Sequence, residues 1–257
     1  MSSTKGKTLK LKIKPFKRKV KLPVDFTETS WAKLRGAVAA VHGKIAVPTS
    51  REELYQLAKD MCVHKLAADL YGKLRGELDV HITSRVAWLA AQGPDQDVFL
   101  KQVEEVWHDH CDTTLTIRSL FLYLDRTYVI QTPSVRSIWD LGLTIFREEM
   151  QRRPEVGQKI VAGILQVIER ERRGETVNRP LVKTLVRMFL ALGIYSDRLQ
   201  PQILDATRGF YQDEVLCVGG GGAAGCWRLM LEGVVEPVAP VCWVVEPGRN
   251  GVLAIDT

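Results

Sequence analysis

No apolar run in this 257-residue sequence approaches the ~20 residues that a membrane helix needs; the densest, Met188 to Tyr195, falls far short. The lysines near the start are not followed by an apolar stretch, so no secretory signal is expected. The five cysteines are odd in number and lack tight spacing, which argues against a disulfide framework and for a reducing compartment, nucleus or cytoplasm. The glycine run 219–222 lacks the Gly-Lys-Ser/Thr ending of a phosphate loop. No nucleophile, base and orienting group can be assembled from spacing, so no catalytic residue, metal or cofactor is expected. What remains is an ordinary globular composition, 46% hydrophobic and 26% charged, long enough for a sizeable core.

His108-Asp109-His110-Cys111 is the nearest thing to a metal motif. On a helix His108 and His110 point about 200° apart, since each residue turns the helix by ~100°. No CxxC or HxxxH accompanies them, so packing and capping are the expected roles. Glu169, Glu171 and Glu175 are interleaved with Arg170, Arg172 and Arg173, the pattern of a salt-laced helix end.

The charge is unevenly placed. Residues 1–21 hold nine lysines and arginines and no acid; with a formal net charge of +6 for the whole chain, the rest carries −3. Within this arm, Thr8-Leu9-Lys10-Leu11-Lys12-Ile13-Lys14 alternates with period two. As a strand it places Leu9, Leu11 and Ile13 on one face and the lysines on the other. An isolated strand is unstable in water, so it is expected to pair with a sheet edge, on this fold or on a partner. The other reading is a solvated tail, or one that binds nucleic acid or an import receptor through Lys17-Arg18-Lys19.

Beyond the arm the periodicity is helical. Thr27, Thr29 or Ser30 can cap a first helix carrying Trp31, Leu34, Val38 and Val41, stopped near Gly43. Ser50-x-x-Glu53 has the form of a capping box, followed by an inward stripe of Leu54, Leu57, Ala58 and Met61 and a second row, Tyr55, Lys59 and Cys62. Ala67 to about Leu89 continues the pattern, and Gly93-Pro94 breaks it. One long helix is expected from about Val98 to Val129, with Leu115 and Leu122 among its buried residues. Val135 to Met150 follows, apolar on more than one face, which marks a central helix or one shared with a partner. Ile160 to Arg172, Leu181 to Leu192 and Gln202 to Tyr211 complete an all-α reading of stacked helical bundles. After about Val215 the character changes to glycines, three of the five cysteines and two tryptophans, without helical or convincing strand periodicity.

Three runs resemble the N-terminal region of the cullins: Phe121-Leu122-Tyr123-Leu124-Asp125-Arg126-Thr127-Tyr128-Val129, Ser137-Ile138-Trp139-Asp140-Leu141-Gly142-Leu143, and Ile168-Glu169-Arg170-Glu171-Arg172-Arg173-Gly174-Glu175. Glu53-Leu54-Tyr55 and Trp107-His108-Asp109-His110-Cys111 add to the resemblance, which covers roughly residues 8–214. Lys12-Ile13-Lys14-Pro15-Phe16 and Leu22-Pro23 narrow it to the cullin-four subfamily. The resemblance implies a scaffold of a RING-type ubiquitin ligase, not an enzyme itself. It implies five-helix cullin repeats: an arm over 1–26, a first repeat over 27–152, a partial second over 153–214, and an unrelated tail over 215–257.

In this family the second and fifth helices of the first repeat bind the adaptor, for this subfamily the triple β-propeller DNA-damage-binding protein, and through it the substrate receptors. An N-terminal strand also docks. Carried over by position, the adaptor-binding residues are Leu9, Leu11, Ile13 and Phe16 of the arm, Arg51, Glu52, Tyr55 and Lys59, and Ile138, Trp139, Leu143 and Phe146. Packing inside the bundle is the alternative for each helical residue. A third repeat and the region that holds the RING-box protein and the neddylated lysine have no counterpart in these 257 residues, so no RING-box binding is expected of this chain. No membrane and no direct nucleic-acid contact are expected either. The alternative function is a helical nucleic-acid-binding protein that uses the basic arm.

Overall fold

The computed structural model describes residues 25–218, with side chains as far as Gln212. Among the described residues there is helix and no strand, in agreement with the all-α reading. The described residues up to Gln202 form one compact unit and a second begins at Ile203. The arm residues Leu9, Leu11, Ile13 and Phe16 lie outside the described residues.

The first unit holds α1 (Phe26–His42), α2 (Arg51–Val63), α3 (Ala67–Ala90) and α4 (Gln96–Leu120). A short α5 (Leu122–Leu124) leads into a π-helical turn, Asp125–Val129. Next come α6 (Ile138–Arg152), α7 (Pro154–Arg172), α8 (Arg179–Ala191) and a second π-helical turn, Tyr195–Leu199. Helix α9 (Gln200–Val218) continues across the boundary. In the second unit the Thr207 hydroxyl donates to the Ile203 carbonyl at 2.6 Å, and the rings of Phe210 and Tyr211 meet edge to face.

Side-chain caps set four of the helix starts among the described residues. Ser50 accepts the Glu53 amide at 3.2 Å, Asp95 those of Asp97 and Val98, and Asn178 that of Leu181. The other half of the capping box is not made, because the Glu53 carboxylate reaches Lys33 at 2.8 Å instead. Helix α1 starts earlier than its hydroxyl residues suggested. Thr29 lies within it and donates to the Asp25 carbonyl at 2.8 Å, and Ser30 is buried. A hydroxyl bonded back to the preceding turn no longer serves as a cap. Gly174, at φ +86°, ends α7 in the left-handed conformation that glycine adopts without strain.

Helix α4 is the centre of the first unit, with α1, α2, α3, α6, α7 and α8 all packed against it. Its buried residues, from Phe99 through Val106, Trp107 and Thr114 to Leu120, therefore occupy more than one stripe. Two glycines allow the closest approaches. A Cβ on Gly142 of α6 would stand 3.0 Å from Thr114 Cγ2, and one on Gly163 of α7 would stand 3.0 Å from Leu100 Cδ2.

The long helix expected to reach Val129 ends at Leu120. Phe121 and Leu124 are fully buried and Asp125 nearly so, and the change of helical register turns all three inward. Leu115 is 46% exposed and Leu122 half-buried, against expectation, because the inward row runs through His110, Thr114 and Ile117.

Candidate functional site

The α2 surface is built by the Ser50 cap and by the inward row Leu54, Ala58 and Met61. These leave Arg51, Tyr55 and Lys59 one turn apart on the outer side, with Glu52 beside them. Arg51 and Glu52 are exposed, whereas Tyr55 and Lys59 are half-buried. Glu52 accepts from the Gln56 amide at 2.8 Å. The Tyr55 ring meets Tyr123 of α5 edge to face, with centroids 6.2 Å apart.

The α6 surface starts at Ser137, whose hydroxyl oxygen accepts the Asp140 amide at 3.1 Å. Trp139 and Leu143 stand one turn apart, both half-buried like Tyr55 and Lys59. Ile138 and Phe146, assigned to the same surface by resemblance, belong to the core: they are 0% and 2% exposed. Phe146 packs edge to face on Trp107, centroids 5.6 Å apart, and against His110 at 5.0 Å. A residue one position before Trp139 or three beyond Leu143 falls on the face turned to α3 and α4. The helical surface therefore reduces to Arg51, Glu52, Tyr55, Lys59, Trp139 and Leu143, with Tyr123 supporting it.

Sequence reasoning quoted Asp125 but assigned it no role. It is 6% exposed. Its Oδ2 accepts Arg118 Nε at 2.9 Å and its Oδ1 accepts the Ile138 amide at 3.0 Å. The Tyr71 hydroxyl donates to the Arg136 carbonyl at 2.8 Å, and burial pushes that phenol's pKa up. The signal that would have marked the segment is a recurrence: Tyr123-Leu124-Asp125-Arg126 returns as Tyr195-Ser196-Asp197-Arg198 at the second π-helical turn.

A histidine cluster was also missed. His42 of α1 and His81 of α3 stack with centroids 3.7 Å apart, and His110 of α4 is buried nearby. Burial, with the neighbouring imidazoles, holds His42 and His110 down to about 4. Lys44 pairs with Asp109 at 2.8 Å. His108 is exposed, and among the described residues no three metal-ligating groups converge. Burial raises the Cys62 and Cys111 thiols to about 11 and about 12, away from nucleophilic chemistry. No described helix is long and apolar enough to cross a membrane.

Compared with known families, residues 31–218 match the Cullin alpha solenoid domain. The chain belongs to the cullin family. Human Cullin-4A is 39% identical over 209 residues, which cover 81% of this chain and 28% of that protein. Dictyostelium discoideum Cullin-4 is 37% identical over 207 residues, 79% of this chain and 26% of its own length. Arabidopsis thaliana Cullin-3A, at 28% identity, also spans 79% of this chain and 28% of its own length. The chain thus spans about a quarter of the length of these cullins. The cullin-like runs 121–129 and 137–143 are the ones that build the turn before α6 and the start of α6 itself.

Proposed function

We propose that this chain is a receptor-side portion of a cullin-type ubiquitin-ligase scaffold, non-catalytic, that docks a triple β-propeller adaptor and through it the substrate receptors. The observation that supports this best is Trp139 with Leu143, an aromatic and an aliphatic side chain one turn apart and only half-buried on a helix of a cullin-4-like repeat. Aromatic anchors of this kind carry a large share of binding energy at protein interfaces. The Tyr55 row on α2 extends the surface, and the alternating arm adds a strand to the adaptor's sheet edge. Lys17-Arg18-Lys19 would serve nuclear import, for a protein of nucleus and cytoplasm.

The test is size-exclusion with light scattering on the purified chain and the propeller adaptor, at moderate salt. A one-to-one complex is expected. Trp139→Asp should weaken it by about 2 kcal/mol or more while the chain stays folded. A folded chain that forms no complex overturns the reading. Binding that instead follows nucleic acid, falls steeply with salt and vanishes without residues 1–21 would favour the basic-arm alternative.

A further inference from the structure

Two features of the segment before α6 have no part in the adaptor contact itself. One is the nearly buried Asp125 carboxylate, shared between Arg118 of α4 and the first amide of α6. The other is the Tyr71 hydroxyl of α3, which holds the Arg136 carbonyl two residues before that amide. The connection between them, residues 130–137, carries little of the core; Ile130, for example, is exposed. Within it the Thr132 amide donates to the Val129 carbonyl at 3.1 Å and the Val135 amide to the Thr132 carbonyl at 2.9 Å, and the entry into α6 is held to the bundle by Asp125 and Tyr71.

Ser137 takes the Asp140 amide, so the Ile138 amide would be unpaired without Asp125. A buried carboxylate is a costly way to satisfy one amide, and an ion pair of this kind contributes little net stability. The second Tyr-x-Asp-Arg copy shows that the π-helical turn does not require it: Asp197 is exposed, and among the described residues no backbone amide donates to its side chain. What sets the first copy apart is its connection: the second turn runs directly into α9, whereas residues 130–137 separate the first from α6. Trp139 is the next residue after the Ile138 amide, and Tyr123, two residues before Asp125, supports the Tyr55 ring.

We propose that Asp125 is the positioning residue of the docking surface: through Arg118 and the Ile138 amide it sets the direction in which α6 presents Trp139, while Tyr123 of the preceding α5 supports Tyr55. This inference rests on the adaptor-docking reading given above. Tyr71 is its second anchor.

The experiment measures adaptor affinity by calorimetry and amide hydrogen exchange by NMR in the full chain, for Asp125→Asn, Tyr71→Phe and Trp139→Asp. In Asp125→Asn the charge that binds Arg118 is lost. The Ile138 amide should exchange faster and adaptor affinity should fall about tenfold, with the far-ultraviolet circular dichroism of a folded chain. Tyr71→Phe should give the same pattern at about threefold. If Asp125→Asn does not fold, Tyr71→Phe carries the test alone. Faster exchange at Ile138 with affinity within about twofold of wild type overturns the inference, as does an affinity loss without faster exchange or no change in either. If Trp139→Asp itself binds like wild type, it is the docking reading that fails, and the two failures are thereby told apart.

Discussion

The two Tyr-x-Asp-Arg segments differ in register and in one residue, Leu124 against Ser196. In the first, the π-helical turn begins at the aspartate; in the second it begins at the tyrosine, two residues earlier. Two residues of a helix are roughly half a revolution, since each turns the chain by ~100°. The same carboxylate therefore faces the core at position 125 and solvent at position 197. The first turn is entered from the fully buried Leu124 of α5, and the second ends on the fully buried Leu199. A short motif thus specifies a turn, and the register of the turn decides what its polar residue does.

The sharpest way to break this comparison is to delete both carboxylates. Asp125→Ala should cost about 3 kcal/mol, because it leaves a buried amide and a partly buried guanidinium without their acceptor. Asp197→Ala should stay within about 0.5 kcal/mol, as for an ordinary surface substitution. Urea unfolding of the two variants checks this, and equal losses would end the distinction.

Acid should separate the same two parts of the molecule. All five histidines precede residue 111, and none lies in α7, α8 or the second turn. The folded state holds His110 near 4, below its ordinary value of 6.5. A depressed histidine gives stability that is present above pH 6.5 and is lost as the pH falls toward 4. At pH 5 His110 alone should cost about 2 kcal/mol, with His42 and His81 acting in the same direction. Hydrogen exchange at pH 5 should loosen α1, α3 and α4 before α8; the reverse order would contradict the cluster's role.

Gly142→Ala should cost about 1 kcal/mol or somewhat more, because Thr114 and His110 leave its Cβ no room. Gly76→Ala on α3 faces open space and should instead stabilise by about 0.5–1 kcal/mol. Thermal unfolding of the pair distinguishes a packed from an open helix face. The smallest effect concerns the junction of α7 with α4, where Arg170 binds Asp97 at 2.5 and 3.0 Å on the surface. Arg170→Ala should lower the urea midpoint less than Gly142→Ala does, and less still in high salt; an equal or larger loss in urea unfolding would make this pair more than a surface contact.

Much of the fold was legible because its signals are local. Ser50 capping α2, the inward row Leu54, Ala58 and Met61, the break at Gly93-Pro94 and the stop at Gly43 each depend on residues within a few positions. The site was legible in part. Tyr55, Trp139 and Leu143 stand at the surface, but Ile138 and Phe146, placed beside them by resemblance, are core. The periodicity of 135–150 showed an apolar excess on more than one face without saying which face the bundle would take.

By itself, then, the sequence determined the all-α class, most helix limits and membership of the family, since helix periodicity, caps and motif runs are written within single segments. Tertiary structure alone decided the rest. The Asp125 carboxylate reaches an amide thirteen residues away, His42 meets His81 from another helix, and Gly142 is required by a side chain on α4. Each depends on groups brought together by packing, and no local pattern records them.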